Sequence, residues 1–205
     1  MASGADNRVV FASSNEGKAR ELRVLFRTLG LQIVTQTELG ITSVEETGET
    51  FVENAFLKAQ QAARLSGLPA VADDSGLCVD ALDGRPGVYS ARYAGADASD
   101  EENIDRLLAE LADTPDEQRT AAFHCAAVFT TDDGKNDLVA EGRWPGLILR
   151  ARDGDAGFGY DPVFFDPASG KSAARMSTEE KNAVSHRGRA FRRLEDLLRA
   201  HKSRL

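Results

Sequence analysis

At 205 residues, 41% hydrophobic and 28% charged, the chain can bury one well-formed core and is neither disordered nor fibrous. Its net charge of −8 argues against nucleic acid as a partner, since that affinity rests on neutralising phosphates, yet leaves room for a local basic pocket. The polar first residues are no signal peptide, no apolar run nears the roughly 20 residues of a membrane span, and the isolated Cys78 and Cys125 suit a reducing compartment; the expectation is a cytoplasmic α/β protein with no membrane partner.

Residues 1–7 read as a disordered leader and residues 8–205 as a single domain. Residues 8–13 form a buried strand by pattern, followed by a polar turn, Ser14-Asn15-Glu16-Gly17-Lys18. Ala19, Leu22, Leu25, Phe26 and Leu29 then keep helical spacing as far as Gly30, a C-cap candidate. A strand, a polar loop and a helix start gather free N–H groups and the positive end of a dipole where an anion can sit. Ser13, Asn15 and Lys18 add a hydroxyl, an amide and a cation. Plain N-capping is the alternative, but a lysine in the first turn opposes the helix dipole and is not explained by capping.

Residues 31–36 read as a second strand and 42–48 as a polar loop carrying Glu45 and Glu46. Thr50 with Glu53 has capping-box spacing and opens a helix through Phe51, Ala55, Ala59, Ala62, Ala63 and Leu65, stopping at Gly67 before Pro69. Lys58, in mid-helix, is by default a surface lysine. Residues 69–72 read as a buried strand that ends on Asp73 and Asp74 at an Asp-Asp-Ser-Gly turn, with a second strand at 77–82. Ligand chemistry in open α/β sheets sits beyond strand ends. Two neighbouring carboxylates repel unless a proton or a cation relieves them, and Mg²⁺ favours carboxylate and phosphate oxygens.

Residues 83–87 form a turn and 89–95 an aromatic, basic loop. Ser99 or Asp100 caps a helix bearing Ile104, Leu107, Leu108 and Leu111. Residues 121–131 and 138–148 read as a β-hairpin about Asp132-Asp133-Gly134, the return strand interrupted at Pro145-Gly146. In Gly157-Phe158-Gly159-Tyr160-Asp161-Pro162, glycines flanking an aromatic let the backbone pass close to a flat ring. Ser177 or Thr178 caps a stretch containing Lys181. Ser185-His186-Arg187-Gly188 precedes a final amphipathic helix with Ala190, Phe191, Leu194, Leu197 and Leu198.

Ser13 to Lys18, Ala72 to Gly76, Gly157 to Pro162 and the run Lys181-Asn182-Ala183-Val184-Ser185-His186-Arg187 together resemble the inosine triphosphate pyrophosphatase family, over about residues 9–198. The resemblance implies a long curved mixed sheet flanked by helices, two lobes with a nucleotide cleft between them, and a homodimer. It implies Mg²⁺-dependent hydrolysis of ITP, dITP or XTP to the monophosphate and pyrophosphate. Carried onto this chain, Asp74 and Glu46 would hold the metal. Either Asp73 or Asp74 could take a proton from water by chemistry alone, and the resemblance points to Asp74. Ser13, Ser14, Asn15, Glu16, Gly17 and Lys18 would cradle phosphates, with Lys58 a further cation and Ser75 a further contact. Phe158 would stack on the purine within Phe158-Gly159-Tyr160-Asp161, while Asp161, Lys181, His186 and Arg187 would bind its edge. A Maf-like pyrophosphatase, a catalytically silent nucleotide binder and an acidic protein-interaction domain are the competing readings. The segments at 158–161 and 185–187 oppose the first. The acidic and cationic side chains at Lys18, Glu46, Asp73, Asp74, Lys181 and Arg187 oppose the other two.

Overall fold

The computed structural model describes residues 7–134 and 136–202; the remainder of the expected leader, residues 1–6, and the end of the basic tail lie outside the described residues. Asn7 is engaged rather than loose: its carbonyl accepts from Gln32 N–H at 2.9 Å and its amide donates to Gly30 O at 2.9 Å.

β1 (Arg8–Phe11) leads into α1 (Glu16–Phe26), whose N-cap Asn15 accepts from Lys18 N–H. A short 3₁₀ turn closes on Gly30 at φ +66°, a left-handed position that suits glycine. β2 (Gln32–Thr35) follows, then α2 (Phe51–Ser66), capped by Thr50 and ended by left-handed Gly67. β3 (Ala70–Val79) is one continuous ten-residue strand. The two strands and the turn expected at the carboxylates are therefore corrected: Asp73 to Gly76 are extended. Asp, Ser and Gly are turn formers by local preference, but strand pairing and burial override that preference here.

α3 (Asp100–Glu110) starts from a full capping box between Ser99 and Glu102. β4 (Thr120–Thr130) and β5 (Leu138–Ile148) come next. The expected interruption of β5 at Pro145-Gly146 does not occur. A Cβ on Gly146 would stand 2.5 Å from the Phe164 ring and from Phe165 O, so glycine here permits close packing and does not break the strand. β6 (Phe164–Asp166), β7 (Lys171–Ser172), α4 (Thr178–Val184) and α5 (His186–Lys202) complete the chain.

The sheet order is β2-β1-β3-β4-β5-β6-β7. β1 runs parallel to both β2 and β3, whereas β5–β6 and β6–β7 are antiparallel, so the sheet is mixed, as expected. The chain divides into two compact units, the first comprising residues 1–74, 126–141 and 190–205, the second 75–125 and 142–189.

In the first unit, α2 lays Ala55, Ala59, Ala62 and Ala63 against Val10, Ala12, Ala70, Ala72, Ala126 and Val128. Small side chains on both surfaces let the helix lie close to the strands. The opposite face of β1 carries Phe11, whose ring meets Phe191 of α5 edge-on at 6.4 Å, and Phe191 meets Phe26 of α1 at 6.2 Å. α1 and α2 thus cover opposite faces of β2-β1-β3, a doubly wound arrangement that switches direction at β1. In the second unit the core joins Leu77, Val79, Ile104, Leu107, Leu111, Phe123, Trp144, Val163 and Phe164.

Candidate active site

Parallel pairing of Phe11 with Val71 carries Ser13 level with Asp73, two residues further on. Asp73 and Asp74 lie within β3 but beside the carboxyl end of β1, at the point where the strand order reverses. Such switch points are where open α/β sheets take ligands. Ser13 Oγ accepts from Asn15 N–H at 3.1 Å, and Asn15 Oδ1 accepts from Lys18 N–H at 3.1 Å. The polar loop is thereby folded over the start of α1. Ser14, Asn15 and Glu16 are exposed, and Glu16 faces Arg23 at 3.5 Å. Gly17 is part of α1.

Side chains alternate across a strand, so the two aspartates point to opposite faces. Val71 and Asp73 share the α1 face, and Lys18 Nζ meets Asp73 Oδ2 at 2.9 Å. Ala72 and Asp74 share the α2 face. There Lys58 Nζ lies 2.9 Å from Asp74 Oδ1 and 2.6 Å from Glu46 Oε1, with both Lys58 and Asp74 largely buried. Lys58 is therefore not the surface lysine its mid-helix position suggests. Asn54, one turn earlier on α2 and fully buried, donates to Asp74 Oδ2 at 3.3 Å and accepts from Gly48 N–H at 2.8 Å. The sequence analysis assigned Asn54 no role; an asparagine at i−4 from Lys58 on an otherwise alanine-lined face was the available signal.

Burial raises the Asp74 carboxyl above its ordinary value, against the pull of Lys58 and with the help of Glu46. Burial would lower Lys58, but Asp74, Asp73 and Glu46 outweigh it and hold the ammonium charged. The cluster sets the carboxylates of Asp73, Asp74 and Glu46 against the ammoniums of Lys18 and Lys58. No group of three or more His, Cys, Asp or Glu converges as a metal cage among the described residues. Mg²⁺, however, is ordinarily bound through one or two carboxylates plus substrate phosphates. Asp74 and Glu46 already share one cation, the Lys58 ammonium, so the donor set fits a small hard cation.

The second unit assembles the other set of expected residues. The Phe158 ring is 42% exposed. Lys181 Nζ sits 4.8 Å and Arg187 Cζ 5.5 Å from its centroid, both within cation–π range. Asp161 is buried, and its Oδ2 accepts from Phe158 N–H at 3.0 Å and pairs with Lys181. A Cβ on Gly157, at φ +84°, would stand 2.1 Å from that same oxygen, so this turn requires glycine. Tyr160 points inward and donates to Ser90 O at 2.8 Å, while burial raises its phenol.

Ser185 caps α5 by accepting from Gly188 N–H at 3.1 Å. That cap places His186 and Arg187 in the first turn, both buried. His186 stacks on Phe123 at 4.7 Å and near Trp144 at 6.3 Å. Arg187 Nη2 donates to Ser75 Oγ at 3.1 Å. Phe123 and Trp144 carried no sequence signal of a role here.

The chain is similar to known proteins over nearly its whole length. It is 57% identical over 193 residues to a dITP/XTP pyrophosphatase of Pectobacterium atrosepticum, covering 94% of this chain and 98% of that protein. Against a dITP/XTP pyrophosphatase of Escherichia coli O157:H7 the identity is 56% at the same coverage. The solved structure of a HAM1 protein from Coxiella burnetii superposes with a TM-score of 0.88 at 44% identity, covering 94% of this chain and 98% of that one. The Ham1 family pattern matches residues 9–197. The chain belongs to the Ham1 family.

Proposed function

We propose that this protein hydrolyses the triphosphates of deaminated purines, ITP, dITP and XTP, to the monophosphate and pyrophosphate, and so cleanses the nucleotide pool. The observation that carries this reading is Asp74: a buried carboxylate with a raised pKa, sharing the Lys58 ammonium with Glu46 on the α2 face of β3. A general base works best when its pKa approaches the working pH, and phosphoanhydride cleavage needs charge neutralisation and a positioned water. Asp74 is the group that takes the proton from water. Asp74 and Glu46 would hold Mg²⁺, which would supply charge neutralisation on the phosphates and a more acidic water. The Asn15-capped start of α1, with Lys18 and Lys58, receives phosphate oxygens.

Base recognition belongs to the second unit. Phe158 stacks on the purine, backed by Lys181 and Arg187. Hypoxanthine and xanthine carry an oxygen at position 6 where adenine carries an amino donor. Arg187, anchored by Ser75 and always charged, offers donors to that oxygen. Adenine would leave those donors unpaired, a mismatch that can be worth roughly 10⁴–10⁵ in specificity. Asp161 serves by holding Lys181 and the Phe158 backbone. No helix among the described residues is long and apolar enough to cross a membrane; a cytoplasmic homodimer is the assembly the family resemblance supports.

Pyrophosphate release from ITP, XTP, ATP, GTP, UTP and dTTP, with Mg²⁺ and with EDTA, tests the reading. The expected result is rapid turnover of ITP and XTP, little of the others, and loss of activity in EDTA that added Mg²⁺ restores. Comparable kcat/KM for ATP and ITP would refute the selectivity, and full activity in EDTA would refute the metal.

A further inference from the structure

The turn that presents Phe158, residues 157–161, buries Tyr160 and Asp161 but leaves Gly157 and Phe158 exposed, and Gly159 sits at φ +56°. Its backbone is tied to α3, which contributes nothing to the residues assigned above. Asp100, the first residue of α3, accepts from Gly159 N–H through Oδ2 at 2.6 Å. The Ser99–Glu102 capping box already satisfies the helix end, so the Asp100 carboxylate is not needed there as a cap. On the other flank of the same loop, Arg152 Nη2 donates to Glu101 O at 3.0 Å and pairs with Asp105 Oδ1 at 2.8 Å.

α3 itself is fixed. Ile104, Leu107 and Leu111 are buried in the core of this unit. Buried Asn103 accepts from Ala94 N–H at 2.7 Å and donates to Ala91 O at 3.2 Å. That segment also contains Ser90, whose carbonyl receives the Tyr160 hydroxyl. α3 is thus tied to the turn itself at Gly159 and to the chain leading into it at Arg152, and a site held by supporting contacts on a rigid element is preorganised for its ligand.

We infer that Asp100 is a positioning residue for base binding: its hydrogen bond to Gly159 holds the Phe158 ring ready to stack on the purine. The inference rests on the proposed function and extends it to a residue that touches no substrate. Removing the bond leaves the phosphate-binding residues untouched and loosens the ring, so affinity for the base falls while the chemical step is spared. Asp100 is exposed and its helix keeps its cap, so the variants fold.

The test compares the unmodified protein with Asp100→Ala and Asp100→Asn. Asp100→Ala is expected to raise KM for ITP and Kd for IMP about tenfold, with kcat within about twofold and unchanged inhibition by inorganic tripolyphosphate, which has no base. Asp100→Asn keeps an acceptor oxygen and recovers most of the loss. Amide hydrogen exchange at Phe158 and Gly159 is expected to speed up in Asp100→Ala. Unaltered exchange overturns the strap, whatever the substrate. Unchanged KM, an equal loss of tripolyphosphate inhibition, or an Asp100→Asn protein as impaired as Asp100→Ala overturns the role in base binding. If the unmodified protein releases no pyrophosphate from ITP, the proposed function fails instead, and exchange still decides the strap.

Discussion

Consecutive residues of an extended strand face opposite ways, and this separates Asp73 from Asp74 more sharply than their chemistry does. Asp73 answers to Lys18 on α1, whereas Asp74 answers to Asn54 and Lys58 on α2 and shares Lys58 with Glu46. Asp74 combines a second carboxylate, Glu46, with a raised pKa. Asp74→Asn keeps the shape but removes the base, so kcat for ITP should fall by at least ~10²-fold. Asp73→Asn should chiefly weaken triphosphate binding by releasing Lys18, a charge-assisted contact worth roughly 1.5–3 kcal/mol. Steady-state kinetics of the two variants separate these effects; a crippled Asp73→Asn beside a nearly normal Asp74→Asn would exchange the roles.

Among the elements, the turn at 157–161 is the one most dependent on a single residue. Gly157 is left-handed, and any Cβ there meets the Asp161 carboxylate that organises the turn. Gly157→Ala should therefore cost about 1–3 kcal/mol of local strain. The displaced Asp161 would lose Phe158 N–H and Lys181 together, so KM for ITP should rise well beyond any change in kcat. Thermal unfolding and ITP kinetics measure the two effects, and a wild-type KM in Gly157→Ala would show that the turn tolerates the displacement. α2 makes the complementary case. Its alanine face lets it lie close to the strands, and on that face Asn54 and Lys58, one turn apart, are delivered to Asp74.

For the whole molecule, a ligand that binds the folded chain and not the unfolded one stabilises it by mass action. A non-hydrolysable ITP analogue with Mg²⁺, at roughly a hundredfold its Kd, should add about 2.7 kcal/mol. For a chain of this size that corresponds to a rise in Tm of roughly 5–11 °C, at about 2–4 °C per kcal/mol. The ATP counterpart at equal concentration should give a much smaller shift in a thermal melt. Equal shifts would mean that binding does not read the base.

The sequence by itself determined most element positions, because hydrophobic period, caps and glycine stops are local signals. α2 runs from its Thr50 cap to Gly67 and α3 from Ser99 as the spacing implies. The motif residues at 13–18, 73–75, 157–161 and 181–187 carried the family resemblance, and the Ham1 family match spans all four. What the sequence misjudged was set by pairing and packing at a distance. Asp73 to Gly76 look like a turn, yet strand pairing holds them extended. Pro145-Gly146 looks like a break, yet Gly146 is there to admit the Phe164 ring. Lys58 looks like a surface lysine until the tertiary fold sets Asp74 and Glu46 against it. Which aspartate faces which helix, and which helix holds the turn at 157–161, depend on side chains far apart in the chain, and only the tertiary structure brings those together.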